Sequence, residues 1–469
     1  MNRRAFDPSD AWLAAPSGQK ASRILPARAS RRTPPRLPWA SRPRPARTPS
    51  LHAGGHRTET LRVCLLAPEF LPVRGGVGTY SVGLVRELSR IADVTVLTLT
   101  RRQGSAVYGR AEMEAAVDHR ARVLPIADAR DTFVYNARFQ IALLRQLPSF
   151  VHTERIEVVH SQHAHMPDLL AGPMTSGPPI VRTVHSTIAG QREAIRIFES
   201  LGQSPDVTER WQLAIEPFLR TAEWSTLHRP GLLFPVCQFA ADHLVDLGID
   251  RRRMRVIHNG VDSERFQPGS PAGASTASEA RRPTVLFVGR FTMVKGIGTL
   301  MQAVPRVVQA VPEVVFQFTG ALPPQLDQWF SLPPELRRHL EFLGYVPDSS
   351  LPTLYRSATV AVAPSLLDWF PFSVLEAMAA GAAIVTSRVG GIPEAITAGE
   401  DGLLVEPGSS EQLADAVIDL LQDPSRRARL ASHARRRATT EFSWQRTARA
   451  THDGYREALA LGPVPSGVP

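Results

Sequence analysis

The chain has 469 residues, 43% hydrophobic and 21% charged, and no run approaches eighteen uninterrupted apolar positions. That composition excludes a fibrous protein and a membrane-spanning helix, and leaves room for two or three domains with their own cores. The formal charge of +10 points to nucleic acid or an anionic surface until it is located. Removing the twelve basic and two acidic residues of positions 1–57 from the totals of 54 and 44 leaves 42 of each sign. The body of the chain is neutral, and the excess sits in a tail.

Residues 1–57 are rich in Arg, Pro, Ser and Ala, carry no helical or strand period and lack the apolar core of a secretory signal. They are expected to be disordered: a solvated extension, a weak binder of anionic surfaces, or translation begun upstream of the true start. Cys64 and Cys237 lie in or beside apolar runs far apart in sequence, the pattern of buried thiols in a reducing compartment.

From Leu61 the pattern alternates strand and helix. Leu61–Ala67 reads as a buried strand, followed by a glycine loop through Gly75-Gly-Val-Gly78, a helix over Ser81–Ser89 and a strand over Asp93–Thr100. The glycines imitate a dinucleotide fingerprint, but the loop is too long for the tight turn and no acid ends the next strand. Residues 101–140 read as irregular loops. Strands are expected over Glu157–His160, Pro179–His185, Leu232–Val236 and Met254–His258, with helix over 191–231 carrying Trp211 and Trp224 as packing groups. His163 and His165 alternate in a loop without a third ligand, which argues against a metal.

Residues 269–282 are small and polar and read as a domain linker. Strands then recur at Pro283–Gly289, Val314–Thr319, Leu340–Gly344 and Thr359–Pro364, with a helix over Gly298–Ala310. After the last of these strands comes a loop with Asp368, a helix opening at Pro371–Ser373 and carrying Glu376, a strand over Ala382–Thr386, and the turn Val389-Gly-Gly-Ile-Pro-Glu394. Ligands of open α/β sheets sit outside the carboxyl ends of strands, at helix N-termini. Two acids, a helix N-terminus and a glycine turn converging on one such edge predict a nucleotide and sugar site. The free N–H groups of 372–375 suit a diphosphate, Glu376 a pair of ribose hydroxyls, and Asp368 the hydroxyls of a sugar. A helix follows over 410–422. The basic run Arg426–Arg437 reads as a solvated helix face, and Phe442-Ser-Trp444 leads a last helix.

Taken in order, Gly75-Gly-Val-Gly78, His258-Asn-Gly-Val-Asp262, Val288-Gly-Arg290 with Lys295-Gly296, Asp368 and Glu376 with Glu-Ala-Met-Ala-Ala-Gly381, Val389–Glu394 and Phe442-Ser-Trp444 resemble glycosyltransferase family 4 over roughly residues 60–460. The resemblance implies the α/β GT-B fold, two doubly wound Rossmann-like domains facing each other across a cleft. It divides the chain into the tail 1–57, an acceptor-side domain 58–268, the linker, a nucleotide-sugar domain 283–441, and a helix 442–461 packing back towards the first domain. Arg290 and Lys295 match the phosphate-binding pair and Asp368 and Glu376 the acid pair. His185 would stand near the sugar, and Gly76, Val346, Phe372, Ser373, Val374 and Glu376 would line the donor.

The implied activity is transfer of a hexose from a UDP- or GDP-linked donor to a glycan, lipid-linked or small-molecule acceptor. It retains anomeric configuration and uses no metal or other cofactor, in keeping with the lack of an Asp-x-Asp triplet. The setting implied is cytoplasmic, with peripheral membrane contact left open and no nucleic acid partner. A non-catalytic nucleotide-sugar or glycan binder on the same fold is the alternative. The first acid is Asp368 where the family usually has Glu, and Trp369 follows where a small residue is common, so reach towards the sugar differs.

Overall fold

A computed structural model describes residues 60–73, 75–103, 106–129, 135–163, 166–170, 177–200, 207–268, 282–320 and 333–461. The tail 1–57, His165 and all of the linker except Arg282 lie outside them. The described residues build two lobes within one compact unit. In the first lobe, β1 (Arg62–Leu66) is central and pairs in parallel with β2 (Asp93–Gln103) and β5 (Val158–Gln162). β6 (Ile180–Val184) and β7 (Leu233–Pro235) extend one side; β3 (Ala106–Tyr108) and β4 (Arg122–Ala129) both pair with β2. The second lobe has six parallel strands in the order β10 (Leu340–Gly344), β9 (Val315–Thr319), β8 (Thr284–Val288), β11 (Val360–Ala363), β12 (Ala383–Ser387), β13 (Leu403–Val405).

These strands are covered on both faces, which is why they read as continuous apolar runs: β6, β11 and β12 are buried at every position. Two doubly wound lobes are therefore present, as expected.

Several expectations are corrected. The first helix starts at Gly76, not Ser81, so the glycines lie in its opening turns. Residues 101–140 contain β3, a helix Arg110–Ala115 and β4. The 191–231 segment is two helices, Ile188–Ser200 and Val207–His228. Met254–His258 forms no strand of its own; Arg255 and Ile257 donate to Leu233 and Pro235, and only an isolated bridge links Met254 to Leu233. Trp224 is 58% exposed and stacks on His228 rather than filling the core. Of the basic run, Arg435 donates to the carbonyls of Phe266, Ser263 and Ala379, and Arg437 to that of Glu394 and to Asp401, so both tie the chain together. Cys64 and Cys237 are free and buried, and burial pushes the Cys237 thiol up to about 12. No helix among the described residues is long and apolar enough to cross a membrane.

The helix Trp444–Ala460 leaves the second lobe and completes the first. Trp444, Ala448, Tyr455 and Ala458 join the core formed by β1, β2 and the Gly76–Leu88 helix. The indole lies against Gly83 and Gly260, where any side chain would meet it, and Tyr80 and Phe372 flank it with ring centroids 5.7 and 6.0 Å away. Tyr455 reaches deeper: its hydroxyl is 2.6 Å from His160 Nδ1, and His160 Nε2 is 2.7 Å from Thr183 Oγ1. Burial, followed by the nearby His185, lowers the His160 pKa to about 3, so this imidazole is neutral throughout the working range.

Truncating Trp444 removes an indole that is only 6% exposed from a site walled by two glycines that cannot fill the gap. Trp444→Ala should cost about 3 kcal/mol or more, read from urea unfolding. A loss below about 1 kcal/mol would show that the helix is not anchored there.

Candidate active site

In the second sheet the strand order reverses between β8 and β11, and the loops leaving these two strands open a crevice at their carboxyl ends. Arg290 and Lys295 follow β8. Asp368 and the helix Phe372–Ala380 follow β11. Lys295 and Asp368, 73 positions apart in sequence, thus meet because their strands are neighbours.

Lys295 Nζ lies 2.5 Å from Asp368 Oδ2, and Ser365 Oγ donates to the same oxygen at 3.1 Å. Two glycines make that meeting possible. Gly296, at φ 75°, brings the backbone after Lys295 against the Pro364 carbonyl; Gly390, at φ 53°, lies against the Asp368 carbonyl. A side chain at either position would collide with backbone and strain its own dihedral. The Val389–Glu394 turn packs against the Asp368 loop, with Gly391 N donating to the Trp369 carbonyl at 2.8 Å. Its Glu394 turns away to accept from His258 Nε2 and from the N–H groups of Gln238 and Phe239 at the start of the Gln238–Asp246 helix. Burial opposes that charge, but these donors prevail and hold the carboxyl below its ordinary range. Arg290 is exposed; its carbonyl accepts from the Thr292 N–H, and its guanidinium has no hydrogen-bond or ion-pair partner among the described residues.

The Phe372–Ala380 helix begins after Pro371, which offers no side-chain cap, and has no acid in its first turn. Its opening N–H groups and the positive end of its dipole therefore face outward uncompensated. Phe372 and Ser373 are half-buried and Val374 is buried in the core, so these three offer backbone before side chain. Glu376 is 8% exposed and accepts from Tyr355 Oη at 3.2 Å, a hydroxyl that also faces the Ser373 carbonyl. Burial, then the charge of Asp348, raises its pKa to about 8 against the pull of Arg265. Arg265 and Asp348 form an ion pair of 2.7 Å, and Val346 is half-buried two residues before Asp348. Tyr355, Ser365 and the Arg265–Asp348 pair escaped the sequence reading, since no local pattern marks them.

The first lobe faces this crevice. A Cβ on Gly76 would stand 3.6 Å from the Phe372 ring, so the glycine loop lies beside the helix N-terminus. His185, just past β6, packs edge-on against Tyr80 at 4.6 Å, and Tyr80 in turn meets Trp444. Trp369 crosses between lobes: it is 8% exposed, a Cβ on Gly190 would stand 2.6 Å from it, and Phe239 and His243 meet it edge-on at 5.6 and 5.3 Å. Gly76, Phe372, Lys295 and Asp368 are thus gathered around neighbouring loops, with His185 connected to Phe372 through the rings of Tyr80 and Trp444. Among the described residues no group of three or more His, Cys, Asp or Glu could hold a metal ion. An exposed guanidinium, a lysine held by an acid and an uncapped helix form an anion-binding arrangement, with carboxylates alongside for hydroxyls.

Residues 74–265 match the Glycosyltransferase Family 4 model, and residues 282–423 match Glycosyl transferases group 1. The alpha-maltose-1-phosphate synthase of Mycolicibacterium smegmatis is 29% identical over 85% of this chain and 100% of its own. The D-inositol 3-phosphate glycosyltransferase of Frankia alni is 28% identical over 83% of this chain and 96% of its own. Among solved structures, sucrose-phosphate synthase from Thermosynechococcus elongatus superposes with a TM-score of 0.68 at 21% identity, over 86% of this chain and 100% of that one. Anabaena HepE in complex with UDP-glucose superposes at 0.60 and 19% identity, over 85% and 99%. With both lobes matched in order and the GT-B architecture common to these structures, the chain belongs to the family 4 glycosyltransferases.

Proposed function

We propose that the chain transfers a hexose from a nucleoside diphosphate donor to a hydroxyl of its acceptor, with retention of configuration and without a metal. The observation that carries this is the grouping of Arg290, the Lys295–Asp368 pair and the uncapped start of the Phe372–Ala380 helix at one switch point. The departing diphosphate needs positive charge, and two cations with a helix N-terminus can supply what a divalent ion otherwise would. When a diphosphate draws Lys295, Asp368 is released to accept from sugar hydroxyls, so one movement readies both ends of the donor. Glu376, a turn into the helix, accepts the ribose hydroxyls. For retention, the acceptor attacks the face from which the diphosphate leaves and gives its proton to a phosphate oxygen, so no protein base is needed. His185 supplies a hydrogen bond at the sugar. A non-catalytic binder would need none of this charge aimed at a leaving group, and turnover separates the two readings.

HepE, solved with UDP-glucose, makes that donor the first to test. Turnover in a donor panel should persist in EDTA, whereas Lys295→Ala and Arg290→Ala should each slow it at least about tenfold, near 1.4 kcal/mol in the barrier. Loss of turnover on chelation with recovery on adding magnesium, or folded variants with unchanged rates, would defeat the assignment.

Glu376 gives a pH signature. Below about 8 its carboxyl is largely protonated in the free protein, while ribose hydroxyls favour the carboxylate that accepts from them. Binding must then release a proton, so UDP affinity should rise as pH increases from 6 to 8 and level off above. Calorimetry in buffers of different ionisation enthalpy would detect the proton, and Glu376→Gln should flatten the profile. A flat wild-type profile would place the ribose elsewhere.

A further inference from the structure

The residue after Asp368 carries the largest side chain of its loop, and the proposed chemistry has not used it. The indole of Trp369 is buried in a slot of the first lobe. Gly190 forms the floor, where a Cβ would stand 2.6 Å from Cζ2 of the ring; Phe239 and His243 meet the ring edge-on. Gly190 N donates to Thr187 Oγ1 at 3.0 Å, and that oxygen is 2.8 Å from His243 Nε2, so floor and wall are bonded together. The slot is built from two helices, and each is held to a second-lobe segment bordering Asp368. The Ile188–Ser200 helix lies against the Met293–Lys295 turn, which carries the lysine paired with Asp368. The first N–H groups of the Gln238–Asp246 helix are held by Glu394. Alanine would suit a helix better than Gly190 does, but its Cβ would evict the ring.

We propose that Trp369 is a positioning residue for Asp368, setting the acid at the sugar through a seat in the opposite lobe. When the diphosphate draws Lys295 away, Asp368 loses its ion pair, and its carboxylate must stay at the crevice rather than follow the ammonium. The Ser365 hydroxyl and the Gly391 N–H steady the loop from the second lobe. The indole ties it to the first, the lobe read as the acceptor side. Withdrawing an indole from such a slot exposes a large apolar surface, so the tie is strong. This rests on the assignment of Asp368 to the sugar, and the test separates the two.

In the full chain Trp369→Ala should lower kcat at least about tenfold, because the acid is misplaced at the reacting sugar. UDP, the nucleotide without the sugar, should bind within about threefold of its wild-type affinity. Gly190→Ala, which keeps the indole but fills its seat, should lower kcat in the same way. In an Asp368→Ala background, Trp369→Ala should change kcat by no more than about threefold, since a residue acting through Asp368 has nothing left to position. Wild-type kcat in both Trp369→Ala and Gly190→Ala overturns the proposal. So do effects of Trp369→Ala and Asp368→Ala that multiply in the double variant, and so does a loss of UDP binding alongside kcat, which marks a general structural role. If the wild type turns over no nucleoside diphosphate hexose, the sugar role of Asp368 fails and the positioning with it. Fluorine spectra of the chain labelled with 5-fluorotryptophan still decide the seat: the resonance lost in Trp369→Phe should shift in Gly190→Ala, and an unmoved resonance means that the indole is not seated there.

Discussion

The charges at the crevice can meet only because backbone is allowed to touch backbone behind them. Lys295 and Asp368 sit on loops from different strands, and each loop is pressed into place where a glycine takes a left-handed conformation against a carbonyl. Add a β-carbon at Gly296 or Gly390 and one loop must retreat, which separates an ammonium from a carboxylate now 2.5 Å apart. The polar chemistry is thus set by a steric condition in groups that carry no charge. It also explains why the Val389–Glu394 turn is glycine-rich: Gly390 and Gly391 both lie against the backbone of the Asp368 loop.

Two other carboxylates near the crevice have opposite fates for the same reason, access to donors. Glu394 collects two backbone N–H groups and an imidazole and is held ionised. Glu376 has one tyrosine hydroxyl, deep burial and Asp348 nearby, and is pushed towards the neutral form. The first acid latches the lobes. The second keeps unspent capacity to accept hydrogen bonds, which suits a residue meant for hydroxyls of a ligand.

Much of this was legible in the sequence, and the boundary follows physical lines. Strands buried on both faces announce themselves as apolar runs, so the alternation through β8, β9, β11 and β12 could be read directly, and with it the edge where Asp368 and Glu376 stand. The helix start at Gly76 could not, because two glycines lower helix propensity and only the neighbouring Phe372 and Glu69 justify their place. Residues 101–140 resisted for the opposite reason: β4 gains its strand character from pairing with β2 and not from its own composition. Tyr355 and the wedge of Trp369 depend on which residues face them across long sequence separations, and no local pattern encodes that. Arg435 and Arg437 looked like solvent charge because a run of arginines hides which members point inward.

The helix Trp444–Ala460 has a consequence for how the protein is made. His160 is completed by Tyr455, 295 residues further along the chain. The first lobe can form its sheet early in synthesis, yet the surface awaiting Trp444, Ala448 and Tyr455 stays apolar and open, and the imidazole beneath it stays half bonded, until translation has passed through the whole second lobe. At about 5–20 residues per second that interval is of the order of tens of seconds. For that time the nascent chain displays a groove of defined shape that its own last helix will fill, which makes the interval when chaperone attention matters most.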